Sequence, residues 1–385
     1  MKEVEEYIDN EISVQELITF LVDEVYPNYT PFMNLFGNNP DRMKEILAAN
    51  ISSIRRIPID KKDGVAARYS LVNKEIHFCS KNKLSIEDIR KDNDMMHIVV
   101  HESIHAILVN ARQKDLIITG CSTNGKKNKK VIRGVFNEFI KLKSTKGFLR
   151  RFLMKENFYR RIDDTSLGDG FNEGFTVWLT EKILGTEMSR EAYPLEKYYI
   201  ETISELIGEE ETLKIADGDF HKIGQMLNMK DGDVVLFLKS FDIASKEFAA
   251  IDACEDIENP GDETSRSIES FDTFYGIAQF GFINGFVIPE YQKKVEQEGL
   301  DFKNLEKLCY IVSRFKGINE TTKFRRENFV PQGQETYMML EDFLEEKFIE
   351  YSNITDINAL SDTEVMDINS IYDYIFMRLR KKKYR

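Results

Sequence analysis

The sequence predicts an α+β, mostly helical fold, with a small sheet or hairpin beside one buried helix and a helical C-terminal region. Apolar residues recur at helical spacing along most of the 385 residues. One short stretch, 69–78, instead places β-branched and aromatic residues on either side of a polar pair, which is typical of a short hairpin or of a single strand with a bend. The longest apolar run, 280–288, is too short to span a membrane and is interrupted by Gly and Asn.

The N-terminal elements can be assigned in order. Residues 1–64 are predicted to form a helical segment, because residues 14–25 carry a broad apolar face and the prolines that follow act as stops. The hairpin at 69–78 comes next. Asp92 and Asp94 then offer N-terminal caps for an apolar helix over 95–109.

The remaining elements are predicted to be helical. A second apolar helix runs from near Asn172 to about residue 184, and shorter helices follow it: 194–208, 210–216, 234–250. The segment 256–270 is acidic and contains Ser, Pro and Gly, so it is predicted to be a linker. Residues 271–385 are predicted to form a helical C-terminal domain.

The charge is uneven. A net charge of −13 disfavours a nucleic-acid partner. Between Lys126 and Arg161, however, thirteen Lys and Arg residues stand against two Glu. This segment is either a solvated face or a flap that draws an acidic substrate towards a cleft. The acidic start of the chain lacks the pattern of a signal peptide, so we expect a cytoplasmic protein without membrane attachment.

The string from His101 to His105 carries the strongest chemical signal. Positions i and i+4 share a helix face, so His101 and His105 can direct their imidazoles to one point. Neutral imidazole is a favoured zinc ligand. Glu102 is rotated by about 100° around the helix axis, where it can reach a metal-bound water without binding the metal. This is the HExxH arrangement, in which the glutamate is the general base.

A catalytic zinc ion requires a third protein ligand and one open position. The next apolar helix offers two candidates. Glu173 lies in its first turn, and Glu181 lies on nearly the same face two turns later. Both carboxylates are compatible with the helical spacing.

HExxH followed by a helix bearing Asn172 and Glu173 resembles the gluzincin division of the zincin metallopeptidases, which includes thermolysin-like and lethal-factor-like enzymes. The resemblance covers about residues 65–220. It implies a zincin-like core, assigned to 65–255, and one Zn2+ ion with Glu173 as third ligand. It also implies that the hairpin at 69–78 is the edge strand along which an extended substrate lies.

The sequence departs from this family at Val177, where thermolysin-like enzymes place an acid that orients a zinc-binding histidine. Thr176, Asn172 or a backbone carbonyl would have to replace it. His97 lies one turn before His101. As a fourth ligand it would close the site, whereas the other interpretation is a supporting or partly exposed histidine.

Zincins also supply a side chain that stabilises the oxyanion of the tetrahedral intermediate. Four residues after the second helix could do so: Tyr193, Tyr198, Tyr199, His221. Tyr193 is favoured, because it precedes Pro194 on a predicted turn.

The predicted function is therefore that of a zinc metallopeptidase cleaving a peptide or protein substrate, with Glu102 and Tyr193 as catalytic residues and His101, His105 and Glu173 as metal ligands. Two alternatives stay open. One is a weakly active or inactive metal-binding regulatory or interaction protein. The other is a protease-like toxin or effector that acts inside another cell.

Overall fold

A computed structural model shows a mostly helical chain with one small sheet, which confirms the α+β, mostly helical prediction. The structure describes the following residues: 8–9, 12–57, 67–70, 73–79, 84–108, 132–133, 137–138, 168–189, 193–217, 220–252, 262–323 and 332–371. The chain divides into two compact units. The first comprises Met1–Glu201 and Glu209–Phe220, and the second comprises Thr202–Gly208 and His221–Arg385.

The first unit contains three helices between Val14 and Asn50, as predicted. Helix α1 (Val14–Phe20) starts at a capping box between Ser13 and Glu16, and the chain continues as a π-helix over Leu21–Val25. Two further helices follow a short 3-10 turn: α2 (Thr30–Leu35) and α3 (Pro40–Asn50). Their apolar faces are buried, with Phe32 and Leu47 fully enclosed.

The sheet has the strand order β1-β2-β4-β3. Its strands are β1 (Ile8–Asp9), β2 (Ser53–Ile57), β3 (Ala67–Ser70) and β4 (Glu75–Cys79). Strands β3 and β4 form the predicted hairpin, and β2 pairs in parallel with β4. The prediction that 1–64 is a helical segment is wrong at Ile8–Asp9 and at Ser53–Ile57, which are strands. A five-residue strand held by a parallel partner leaves too weak a local pattern to detect.

Two long helices form the centre of the first unit. After the short α4 (Ile86–Lys91), helix α5 (Asn93–Leu108) carries the HExxH string. Two paired antiparallel strands of two residues each, β5 (Ile132–Arg133) and β6 (Asn137–Glu138), precede helix α6 (Asp169–Leu184). Helices α5 and α6 pack against each other, and nearly all their apolar side chains are buried. Both therefore lie in the core.

The other predicted helices are present. Helix α7 (Pro194–Ile207) is followed by α8 (Glu209–Leu213) and a 3-10 turn over Lys214–Asp217. The helices of the second unit are α9 (Phe220–Met226), α10 (Asp231–Asp252), α11 (Asp262–Phe282), α12 (Ile288–Glu298), α13 (Phe302–Lys323) and α14 (Gln332–Ile354).

The second unit differs from the prediction at the linker. Residues 256–270 were predicted to be irregular, but α11 begins at Asp262. Acidic residues stabilise a helix N-terminus through the helix dipole, so a polar, acidic composition does not exclude a helix start. Helices α10 and α11 pack against each other through Phe237 and Phe282, and through Phe248 and Phe271.

A π-helix at Ile283–Val287 joins α11 to α12. Pro289 lies just beyond it, where its ring cannot accept the normal helical spacing to the carbonyl four residues earlier. The wider π-turn relieves this clash. Among the described helices, none has both the length and the apolar character needed to cross a bilayer.

Candidate metal centre

Helix α5 directs the side chains of His101 and His105 towards one point. Asp92 caps the helix, since its side chain accepts a hydrogen bond from the Met95 amide at 3.1 Å. One turn of helix separates His101 from His105, and their Nε2 atoms are 3.1 Å apart. The two rings meet edge to face, with centroids 4.7 Å apart. The i, i+4 spacing thus produces the predicted convergence.

Glu173 completes a triangle with the two imidazoles. Its Oε2 atom lies 3.1 Å from Nε2 of His101 and 3.2 Å from Nε2 of His105. A point about 2.0–2.1 Å from all three atoms, the usual zinc distance, lies about 1 Å out of their plane. These three side chains therefore fit a tetrahedral cation with one open position.

The triangle is open on one side. The His101 side chain is 14% exposed and the Glu173 side chain 20% exposed. Burial acts to raise the pKa of Glu173, but the charge of His105 and hydrogen bonds with both histidines outweigh it. The pKa of Glu173 is therefore well below its ordinary value. Glu173 is an anion facing two imidazoles, which is the charge state that a cation requires.

Asn172 contacts the far side of the His105 ring, with its Nδ2 3.2 Å from Nδ1. Nε2 of His105 can bind a metal only in the tautomer whose Nδ1 carries the proton. If the Asn172 amide is turned through 180°, its oxygen takes the place of the nitrogen and accepts a hydrogen bond from that Nδ1–H group. Of the orienting groups predicted in place of an acid at Val177, Asn172 is the one brought to the site. Thr176 donates instead to the Asn172 carbonyl at 2.8 Å.

Glu102 is buried on α5, next to His101. Its negative charge, together with that of Glu173, acts on the hydroxyl of Tyr193. Glu102 directly follows His101 on α5, and it is not a member of the cluster of possible metal ligands.

Tyr193 stacks on His101, with ring centroids 6.0 Å apart and planes within 8° of parallel. It remains 44% exposed. Its φ of 52° is left-handed, which is strained for a residue of this type, and Pro194 follows it as the first residue of α7. The negative charge of Glu173, the largest influence, and that of Glu102 raise the pKa of Tyr193. The phenol therefore keeps its proton and can act as a donor.

Gly174 brings α7 close to α6. A methyl group at this position would lie 2.3 Å from the carbonyl oxygen of Glu196, far inside van der Waals contact. Only glycine allows this approach, and the approach delivers Tyr193 to His101. Sequence analysis did not single out Gly174 as a packing residue, although a glycine inside an apolar helix often marks close contact with another backbone.

Glu181, the rival third ligand, is occupied elsewhere. Its carboxylate lies 2.9 Å from Nζ of Lys197, which is buried on α7. Lys197 also approaches Glu201 at 3.5 Å. Glu173, which lies two turns earlier on α6, reaches the two imidazoles instead. Three-dimensional pairing thus separates two carboxylates that the helical spacing could not.

His97 is buried and supports the helix rather than joining the triangle. Its Nε2 lies 3.1 Å from Oγ1 of Thr186, which donates to Asn93 at 3.1 Å. Of the two expectations for a His97 that is not a ligand, a supporting residue fits this position, whereas a partly exposed histidine does not. Burial, the largest influence, lowers the pKa of His97. Among the described residues, the metal-ligand cluster contains only His101, His105 and Glu173.

The other oxyanion candidates are placed differently. Tyr198 and Tyr199 are buried within α7, and the side chain of His221 lies outside the described residues. The same is true of most of the basic segment 126–161, of which only β5 and β6 are described.

Comparisons of the chain with protein-family models, with curated proteins and with solved structures found no match. The site is therefore interpreted from its own geometry.

Proposed function

We propose that the protein is a zinc-dependent hydrolase, a gluzincin-like metallopeptidase that cleaves peptide bonds. The observation that carries this proposal is the triangle of His101, His105 and Glu173, with 3.1–3.2 Å between ligand atoms and Glu102 beside it. Two His and one carboxylate, with a fourth position open, are typical of a catalytic zinc site.

Each residue has a role in the proposed reaction. When bound, zinc would polarise the substrate carbonyl and lower the pKa of its water towards about 7. Glu102 accepts the proton of the attacking water and passes it to the leaving amine. Tyr193, held on the ring of His101, donates a hydrogen bond to the oxygen that becomes negative. Asn172 fixes the ring of His105.

The substrate would lie along β3, the terminal strand of the sheet. Tyr69 of β3 donates to the carbonyl of Asn50 at 2.9 Å, and the side chain of Asn50 donates to the carbonyl of Ala106 at 2.8 Å. Ala106 follows His105 directly. These two hydrogen bonds therefore connect β3, through Asn50, to the part of α5 that carries His105. An extended peptide added to β3 would bring a carbonyl towards the three ligands.

The test combines metal analysis with a peptide-library cleavage assay. The parent protein should contain one zinc ion and lose cleavage with a chelator. Glu102→Gln should keep its zinc and lose about two to four orders of magnitude in kcat. Glu173→Ala should lose zinc. Glu187→Gln, an exposed change in the loop after α6, is the control and should behave like the parent.

Two other outcomes would overturn the proposal in distinct ways. Stoichiometric zinc without chelator-sensitive cleavage would identify a metal-binding regulatory or interaction protein. Two His and one carboxylate also suit Fe(II) oxygenases. Stoichiometric iron in place of zinc would therefore indicate oxidative chemistry instead of hydrolysis.

A further inference from the structure

A row of charged side chains crosses the sheet on the face opposite its apolar residues. Arg55 of β2 and Arg68 of β3 are both register partners of His77 on β4. Side chains alternate between faces along a strand, so these three share one face. Ile54, Ile76 and Tyr69 form the neighbouring row on the other face and are buried.

The row is ordered by hydrogen bonds. Nε of Arg68 donates to Nδ1 of His77 at 3.3 Å. Because Nδ1 accepts, Nε2 of His77 carries the proton and donates to Glu75 at 2.9 Å. Glu75 also binds Nε of Arg55 at 2.9 Å. His77 is buried between its neighbours, whereas Arg68 is exposed at the end of the row.

Arg68 lies at the edge where the proposed substrate would be added. Among the residues that the structure describes, β3 pairs only with β4, so Arg68 lies on an edge strand of the sheet, with its Nε atom directed to His77. Directly opposed side chains on neighbouring strands have Cβ atoms about 4.5–5.5 Å apart, and opposite charges in such pairs attract. A peptide strand beside β3 would therefore place one side chain against the guanidinium of Arg68.

We propose that Arg68 forms a substrate subsite that selects an acidic side chain, Asp or Glu, from an extended peptide paired with β3. This inference rests on the proposed function, because it requires a peptide beside the metal centre. Two features support it: the position of β3 against α5, and the exposure of the positively charged Arg68 at the end of an ordered row. The charge of Arg55, further inward, is balanced by Glu75, so Arg68 carries the charge at the edge.

The experiment measures binding separately from cleavage. A positional-scanning peptide library is bound to the zinc-loaded Glu102→Gln protein, and to the same protein carrying Arg68→Gln or Arg68→Glu. We expect about a two- to fivefold preference for acidic residues at one position, its loss in Arg68→Gln, and a preference for Lys or Arg in Arg68→Glu. Raising the salt concentration should weaken the preference.

The control is Arg42→Glu, which reverses the charge of an exposed arginine on α3 and should leave the preference unchanged. Thermal unfolding of each variant checks that it is folded. An acidic preference that is unchanged in Arg68→Glu, or peptides that bind without any acidic preference, would overturn the subsite. So would a library in which no peptide binds.

The two proposals fail separately. If the parent protein cleaves peptides in a chelator-sensitive way while Arg68→Glu leaves the preference intact, only the subsite is wrong. If the preference inverts in Arg68→Glu but the parent protein shows no cleavage, the subsite stands and the hydrolase proposal is wrong.

Discussion

At the scale of single residues, Asn172 decides how the ring of His105 is presented. Its amide lies 3.2 Å from Nδ1, the nitrogen that faces away from the metal position. Partners of this kind fix the tautomer and orientation of a metal-binding histidine. Under the proposed function, the neutral amide of Asn172, which directly precedes Glu173 on α6, would take the role of the acid that the resemblance to thermolysin-like enzymes leads one to expect at Val177.

We predict that Asn172→Ala binds zinc about 10–100-fold more weakly than the parent protein. Competition with a chromophoric chelator gives the affinity. Thr180→Val is the matched control, because Thr180 is also buried on α6 but donates only to the carbonyl of Thr176. Equal zinc affinities in Asn172→Ala and the parent would show that Asn172 does not orient His105.

The buried position of His97 leads to a second prediction, on the pH dependence of stability. Burial lowers its pKa below the ordinary value of about 6.5. As the pH falls below that value, the unfolded state takes up a proton before the folded state does, so the free energy of unfolding decreases. We expect His97→Gln, whose amide can still reach Thr186, to remove this part of the decrease.

Urea unfolding in chelator at several pH values between about 7.5 and 5 tests this prediction. The parent protein should show the steeper loss of stability towards low pH. Parallel pH profiles for the parent and His97→Gln would mean that burial of His97 has no effect on its protonation.

The residue scale also shows what sequence can predict of a site. His101, Glu102 and His105 lie within five positions, so helical spacing alone predicts their arrangement. The choice between Glu173 and Glu181 could not be made in this way, since both occupy one face of α6. It depends on Lys197, a residue of another helix that pairs with Glu181.

At the scale of elements, the contact between α6 and α7 positions Tyr193. Alanine is normally about 1 kcal/mol more favourable than glycine inside a helix. At Gly174, however, the added methyl group would lie 2.3 Å from a backbone carbonyl, which cannot move without displacing α7. The steric cost therefore outweighs the helix propensity.

We predict that Gly174→Ala lowers the midpoint of thermal unfolding by several degrees, as expected for a loss of about 1–3 kcal/mol. It should also reduce cleavage, because Tyr193 moves away from His101. Gly281→Ala on α11 is the control, since its nearest neighbour is 4.0 Å from the added methyl group. That variant should be as stable as the parent or more so. A stabilised Gly174→Ala protein would contradict the close approach.

The strands show why elements are predicted unequally. The hairpin of β3 and β4 was predictable because its two strands are adjacent in sequence and polar residues separate them. Strand β2 was missed because both of its partners are distant in sequence: β1 lies more than forty residues earlier, and β4 lies beyond β3. The helices α5 and α6 have long apolar patterns and needed no such partner information.

At the scale of the whole molecule, the division into two units does not follow the predicted linker. A chain that ended after Asp252 would keep α10 but lose α11. Phe237 and Phe248 would then lose their contacts with Phe282 and Phe271. We predict that this shortened chain binds a hydrophobic dye and self-associates.

Dye fluorescence and light scattering measure this effect. A chain that ends after residue 371, which keeps every described element, is the control and should behave like the full protein. If the chain ending at Asp252 were monomeric and did not bind the dye, the apolar side chains of α10 would not require α11 to shield them from water.

Neither unit is a continuous stretch of sequence, and this has a consequence for biosynthesis. Thr202–Gly208 belongs to the second unit but leaves the ribosome before most of its partners, which begin at His221. The three residues of the proposed metal site, His101, His105 and Glu173, are made earlier still. Folding during synthesis proceeds from the N-terminus. Under the proposed function, a cation bound at this site would therefore hold α5 and α6 together while the second unit is still being translated.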